Sequence, residues 1–146
     1  LDNWWTDADR EQFQVLADKL IAQYDGFEPR DLPGHTVNGA LTVGENIGDL
    51  GGLTIGLLAY ELSLGDAGAP VLDGTTGRGR VFQNWAEIWR IKTRKEAQLQ
   101  LLSIDPHSPA EFRANIVRNL DEFHDEFATT ADDGLWLDPT ERVRIW

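Results

Sequence analysis

The chain is 146 residues long, enough for one domain with a buried core, and its 41% hydrophobic and 26% charged residues exclude wholesale disorder. Thirteen Lys and Arg against 25 Asp and Glu leave a net charge of −12 at pH 7, which disfavours nucleic acid and anionic membrane surfaces as partners. Cysteine is absent, which excludes disulfides and thiolate metal sites; methionine is absent too, so with Leu1 first, a processed chain or a part of a larger protein is expected.

The first predicted element is a helix over residues 6–24, where Phe13, Leu16, Ala17, Leu20, Ile21 and Tyr24 recur at helical steps and Thr6 offers a cap to the backbone of Asp9. Gly26, Pro29 and Pro33-Gly34 end it. After a turn at Val37-Asn38-Gly39, a second helical run goes from Leu41 to Tyr60 with Ile47, Leu50, Leu57 and Leu58 apolar and Gly44, Gly48, Gly51, Gly52 and Gly56 inside it. Each interior glycine costs about 1 kcal/mol against alanine. The stripe of Gly48, Gly52 and Gly56 therefore predicts a flat surface against which another element packs closely. Glu45, Asp49 and Glu61 interrupt the run, and no membrane span is expected.

Gly65, Gly68, Gly74, Gly77 and Gly79 with Pro70 predict a loop as far as Arg80. Helical period returns over residues 81–102 with a break near Thr93. Phe82, Trp85, Ile88 and Trp89 form an apolar face expected in the core, and Arg90, Lys92, Arg94 and Lys95 gather positive charge. Asp105-Pro106-His107-Ser108-Pro109 stops the pattern. Ser108, Pro109 and Glu111 then stand as N-cap, N1 and N3 of a helix carrying Phe112, Ile116, Val117 and Leu120. A last helical piece, Leu120 to Phe127, precedes an irregular tail from Asp132 to Trp146. No strand pair is visible, so the expected fold class is mainly α.

Glu45 and Asp49 stand four apart, and a helix brings both carboxylates to one face, where like charges repel. A divalent metal relieves that conflict if one carboxylate is a ligand and the other holds a metal-bound histidine. The alternative is a capping box between Thr42 and Glu45 beside an exposed Asp49. His107 lies between two prolines ahead of a helix start, a stiff position from which an imidazole can donate to a developing oxyanion; otherwise it trims a loop. Arg113, on the next helix, is placed to clamp a carbonyl or carboxylate, or to pair at the surface with Glu111 or Asp105. His35 and His124 look ordinary, His124 on a solvated acidic face with Glu122, Asp125 and Glu126. The sequence holds no His-Glu-x-x-His, phosphate-binding loop or Gly-x-Ser-x-Gly. A zinc site needs about three protein ligands, and one is convincing here.

Several rare motifs nevertheless stand in one familiar order. Gly44-Glu45-Asn46-Ile47-Gly48-Asp49-Leu50-Gly51-Gly52 resembles the Gly-Glu-Asn-Ile-Ala-Asp-x-Gly-Gly segment of the neprilysin and endothelin-converting-enzyme family of zinc metallopeptidases. Asp2-Asn3-Trp4-Trp5-Thr6 resembles the segment just after that family's His-Glu-x-x-His helix, and Val37-Asn38-Gly39 precedes the glutamate motif as it does there. Phe82 to Trp89 resembles the aromatic Phe-x-x-x-Ala-x-x-Trp helix, with Trp85 before the alanine. Asp105 to Pro109 with Phe112-Arg113 resembles the Asp-x-His-Ser-Pro…Arg segment, and Trp146 ends the chain as in the family. Gly48 in place of alanine and Ala114 in place of valine are departures, and neither falls on a proposed ligand.

The resemblance implies the mainly α, C-terminal helical part of a zincin-type (gluzincin) catalytic domain, with little or no sheet. Residues 1–146 would be its C-terminal portion, the His-Glu-x-x-His part lying upstream. It implies one Zn2+, with Glu45 as third ligand beside two upstream histidines. Asp49 would hydrogen-bond one of those histidines, His107 would stabilise the oxyanion, and Arg113 would bind a substrate backbone carbonyl. The general base would also lie upstream, so the segment alone is expected to be inactive. Implied partners are peptide substrates and the upstream half of the same protein, with no nucleic acid and no membrane contact. The lack of cysteine suggests a prokaryotic relative, cytoplasmic or secreted and without disulfides. A rival of another class is a non-catalytic, acidic helical interaction module that uses its Trp-rich faces.

Overall fold

Thr6 opens α1 (Asp7–Asp25) as its sequence predicts, its Oγ1 accepting from the Asp9 backbone N at 3.1 Å. The computed structural model describes residues 4–145; Asp2, Asn3 and Trp146, on which the resemblance also drew, lie outside the described residues. α1 packs on α2 (Gly39–Leu64), which starts before the apolar period does because two acceptors cap it. Asn38 Oδ1 accepts from Leu41 N at 3.0 Å, and the Asp25 carboxylate at the end of α1 accepts from Gly39 N at 2.7 Å. They satisfy donors that a helix N-terminus leaves open, and the carboxylate also suits the helix dipole. The approach is so close that a Cβ on Gly39 would lie 2.3 Å from the Ile21 carbonyl oxygen.

α2 supplies Leu50, Leu53 and Leu57 to a core shared with Leu20 and Tyr24 of α1. Thr76 caps α3 (Gly77–Ile88), accepting from Gly79 N at 2.9 Å, so this helix begins inside the predicted loop. The predicted break falls at residues 89–94, and α4 (Lys95–Ile104) follows. α5 (Ala110–Ala114) runs into a 3-10 turn, Asn115–Asn119, and then α6 (Asp121–Phe127). Together they bring Phe112, Ile116, Val117, Leu120 and Phe123 into the core. Phe112 stacks on Phe27 with ring centroids 4.7 Å apart. The tail is irregular but anchored: Val143 is buried, and its N donates to Asn119 Oδ1 at 2.9 Å. No strand occurs among the described residues, and the mainly α expectation holds.

Some expectations are overturned. Gly44, Gly48, Gly52 and Gly56 face open space, with no atom within 4 Å of an added Cβ, so none of the described residues packs on the stripe. Ile55 and Leu62, 60% and 72% exposed, lie along the same outward side. By length and composition Gly39–Ala67 qualifies as a membrane span, against the sequence expectation. Its inward side carries Asn46 and Asp49, both hydrogen-bonded to other elements, as befits a core helix. Of the α3 aromatic face only Phe82 is buried; Ile88 is exposed, and Trp85 and Trp89 are half-buried at the site described below. His124 is not on a solvated face. It is buried, its Nε2 donating to the Arg118 carbonyl at 2.8 Å and its Nδ1 facing the Thr129 hydroxyl.

Two glycines on one helix are expected to respond with opposite sign. Gly39→Ala must push Ile21 aside and is expected to destabilise the chain by about 1–3 kcal/mol. Gly48→Ala, with open space at its Cβ, is expected to stabilise it by up to about 1 kcal/mol through helix propensity. Urea unfolding of the two variants beside wild type checks this.

Candidate active site

Glu45 and Asp49, one turn apart on α2, meet different surroundings. Glu45 is half-exposed beside the glycine stripe, whereas Asp49 is 8% exposed and points toward the segment that follows α4. That segment starts with Asp105, the C-cap of α4. One oxygen of Asp105 accepts from the His107 backbone N at 2.9 Å and lies 2.7 Å from Nδ1 of the same histidine. These two bonds hold the Asp105 carboxyl below the usual carboxylate range. They also turn the ring so that Nε2 faces Glu45, 3.3 Å from its Oε2. Pro106 and Pro109 on either side restrict the backbone that carries the ring.

Ser108 does not cap the next helix. α5 begins at Ala110 with Pro109 at the cap position, and the Ser108 hydroxyl instead donates to Asn46 Oδ1 at 2.8 Å. Asn46 is fully buried and donates to Thr42 Oγ1 at 3.0 Å, and Thr42 donates to the Asn38 carbonyl at 3.1 Å. With Thr42 inside the helix and Asn38 as the cap, the capping-box alternative for Glu45 falls away.

Arg113 pairs with neither Glu111 nor Asp105. Its Nε and Nη2 donate to the two oxygens of Asp49, each at 2.7 Å, a fork-to-fork pair. The pair holds the guanidinium above its ordinary pKa against the opposing effect of burial. Trp89 lies against the guanidinium, 4.0 Å from carbon to ring centroid, and Trp85 Nε1 donates to the Arg113 carbonyl at 3.3 Å. Tyr24 OH donates to the Phe112 carbonyl at 3.1 Å, and burial pushes that hydroxyl's pKa up. The four predicted residues therefore converge: Glu45 with His107, and Asp49 with Arg113. A pocket opens beside them, lined by Trp89, Ile91, Leu101, Leu102, His107 and Arg113 among others.

Periodicity did not flag Asp105, Asn46, Ser108 or the two tryptophans as parts of one site. The Asp105-x-His107 spacing was the one available signal for the histidine's partner. Among the described residues no group of three or more His, Cys, Asp or Glu side chains is gathered to hold a metal. Glu45 nevertheless has what one zinc ligand needs: a carboxylate on an open helix face where adjacent glycines leave room for donors from another element.

Comparison with known proteins places the chain in a family. Residues 1–143 match the sequence pattern of peptidase family M13. The chain belongs to that family. Over the whole M13 segment, the zinc metalloprotease Zmp1 of Mycobacterium tuberculosis, solved in complex with an inhibitor, superimposes with a TM-score of 0.97 at 56% identity, and the segment covers 23% of that chain. A neutral endopeptidase of Lactococcus lactis subsp. cremoris is 40% identical over 147 residues, and neprilysin-3 of Drosophila melanogaster 31% over 151; all of this chain is matched in each. The likeness to neprilysin-type peptidases thus holds. The M13 chain spans about a fifth of the length of these curated relatives, 21% and 19%.

Removing the Asp49 carboxylate from the M13 segment leaves a mostly buried guanidinium without its partner. Asp49→Ala is expected to destabilise the chain by about 3 kcal/mol or more. The double variant Asp49→Ala/Arg113→Met should recover a large part of that loss, since no uncompensated charge remains. Thermal or urea unfolding of the three proteins measures the coupling.

Proposed function

We propose that this chain is the C-terminal part of a zinc metalloendopeptidase, contributing the glutamate ligand and the groups that stabilise the transition state. The observation that carries this is the Glu45–His107–Asp105 arrangement: a half-exposed carboxylate on an open helix face, 3.3 Å from an imidazole whose other nitrogen is held by a carboxylate. The family membership and the names of the relatives, neutral endopeptidase and zinc metalloprotease, support it.

Glu45 would be one ligand of a single Zn2+, two histidines from the upstream part supplying the others. When bound, zinc lowers the pKa of its water toward about 7 and polarises a carbonyl. The residues of this chain act around that chemistry. With Nδ1 of His107 held by Asp105, Nε2 is the ring edge that would face the oxygen that gains charge as the peptide carbonyl is attacked. Arg113 spends Nε and Nη2 on Asp49, so Nη1 remains to hold a substrate backbone carbonyl. Asp49, whose two oxygens accept from Arg113, would also orient a zinc-bound histidine of the upstream part. The substrates are peptides, whose side chains the Trp89-lined pocket would receive.

The second partner is the upstream half of the same polypeptide. The bare stripe of Gly44, Gly48, Gly52 and Gly56, flanked by exposed Ile55 and Leu62, suits a helix that must bring its ligands close to Glu45. On this basis the segment alone hydrolyses nothing.

Two variants in the full-length peptidase separate the roles. Glu45→Gln is expected to lower bound zinc, measured by elemental analysis, and to abolish turnover. His107→Phe is expected to retain zinc while kcat falls about 100- to 1,000-fold, the cost of losing one oxyanion donor. Normal zinc content and normal rate in both would refute the assignments. A third variant, Gly52→Leu, is expected to impair assembly of the full-length protein while leaving this segment's own core intact, read as a lower Tm of the whole and an equal or slightly higher Tm of the part.

A further inference from the structure

We infer that Asn46 and Ser108 are positioning residues, whose buried hydrogen bond sets the distance between the Glu45 carboxylate and the His107 ring. The inference rests on the functional proposal above and adds to it the device that holds its two central groups in register.

Each of the two is the chain neighbour of a site residue and faces the other way. Glu45 and His107 have half-exposed side chains, whereas Asn46 and Ser108 are 0% and 4% exposed. A solvent-exposed pair such as Glu45–His107 is too weak to hold its own geometry. The Asp49–Arg113 bridge ties the same two segments together, but at a point five residues beyond Ser108. Near His107, the side-chain bond that crosses between α2 and the loop out of reach of solvent is Ser108 Oγ to Asn46 Oδ1, 2.8 Å.

That bond has a fixed direction and a fixed end. Thr42 gives its hydroxyl hydrogen to the Asn38 carbonyl and accepts from Asn46 Nδ2, which leaves Asn46 Oδ1 to face the loop as an acceptor. Asn46 is thereby held in one amide orientation by the cap of its own helix. On the other side Pro106 and Pro109 stiffen the backbone, so a displacement of Ser108 carries His107 with it. An apolar pair of similar shape would fill this space at little cost in stability. A directional chain there adds register instead. An error of about 1 Å in such a position can lower a rate about 100-fold.

The test is Ser108→Ala in the full-length, zinc-loaded peptidase. The expected result is a fall in kcat of about 10- to 100-fold, with KM and zinc content unchanged. Ser108→Thr, which keeps the hydroxyl, should regain most of the rate. In a His107→Ala background, Ser108→Ala should cause no further loss, because the serine acts through the histidine. A crystal structure of Ser108→Ala should show the His107 Nε2 to Glu45 Oε2 separation grown beyond that of wild type. An unchanged kcat, the same fractional loss in the His107→Ala background, or an unmoved ring would each overturn the proposal. If wild type itself cleaves no peptide, the functional proposal fails, and the ring position in the two crystal structures still decides this one.

Discussion

The two-point bridge between Asp49 and Arg113 joins the segments on which the rest of the site depends. It crosses from α2 to α5, buried on the carboxylate side and backed by the Trp89 ring on the guanidinium side. A carboxylate so little exposed is tolerable only with a partner that fills both oxygens, and a forked guanidinium does so in one fixed geometry. With that bridge at one end and the Ser108–Asn46 bond nearer its start, the stretch from Asp105 to Arg113 lies along α2. His107 then falls opposite Glu45, and Trp85 reaches the Arg113 carbonyl from α3.

α2 accordingly serves two surroundings. Its inner side is a conventional core helix, with Leu50, Leu53 and Leu57 among the aromatic and aliphatic side chains of α1, α3, α5 and α6. Its outer side is nearly featureless, glycine and exposed aliphatic residues with the carboxylate of Glu45 among them. A glycine-rich outer face is a poor way to stabilise an isolated helix. It is a good way to let a second backbone come near one charged group. The relatives that this chain matches are about four to five times its length, and so have room for such a second element.

Much of this was legible in the sequence. Helical period, the Thr6 cap and the proline stops located α1, α2 and α6 to within a few residues. The spacing of Glu45 and Asp49, and the prolines around His107, singled out residues that the fold brings together with their partners. What escaped was tertiary. Ser108 has every local property of an N-cap, yet its hydroxyl turns to Asn46 because the loop lies against α2. Arg113 has acidic neighbours in sequence at Glu111 and Asp105, but the buried carboxylate of Asp49 offers a stronger, two-point partner. His124 sits among acidic residues in the sequence and is nonetheless buried, because helical period turns it inward to the Arg118 carbonyl. The glycine stripe was recognisable as a flat surface, though not that none of the described residues would pack on it.

The central claim is that Glu45 is a zinc ligand within reach of His107. Anomalous diffraction at the zinc edge, from crystals of the full-length peptidase, tests it directly. The account predicts a peak about 2.0–2.2 Å from a Glu45 carboxylate oxygen, on the open side of α2. A peak at another site with Glu45 free of metal would contradict it.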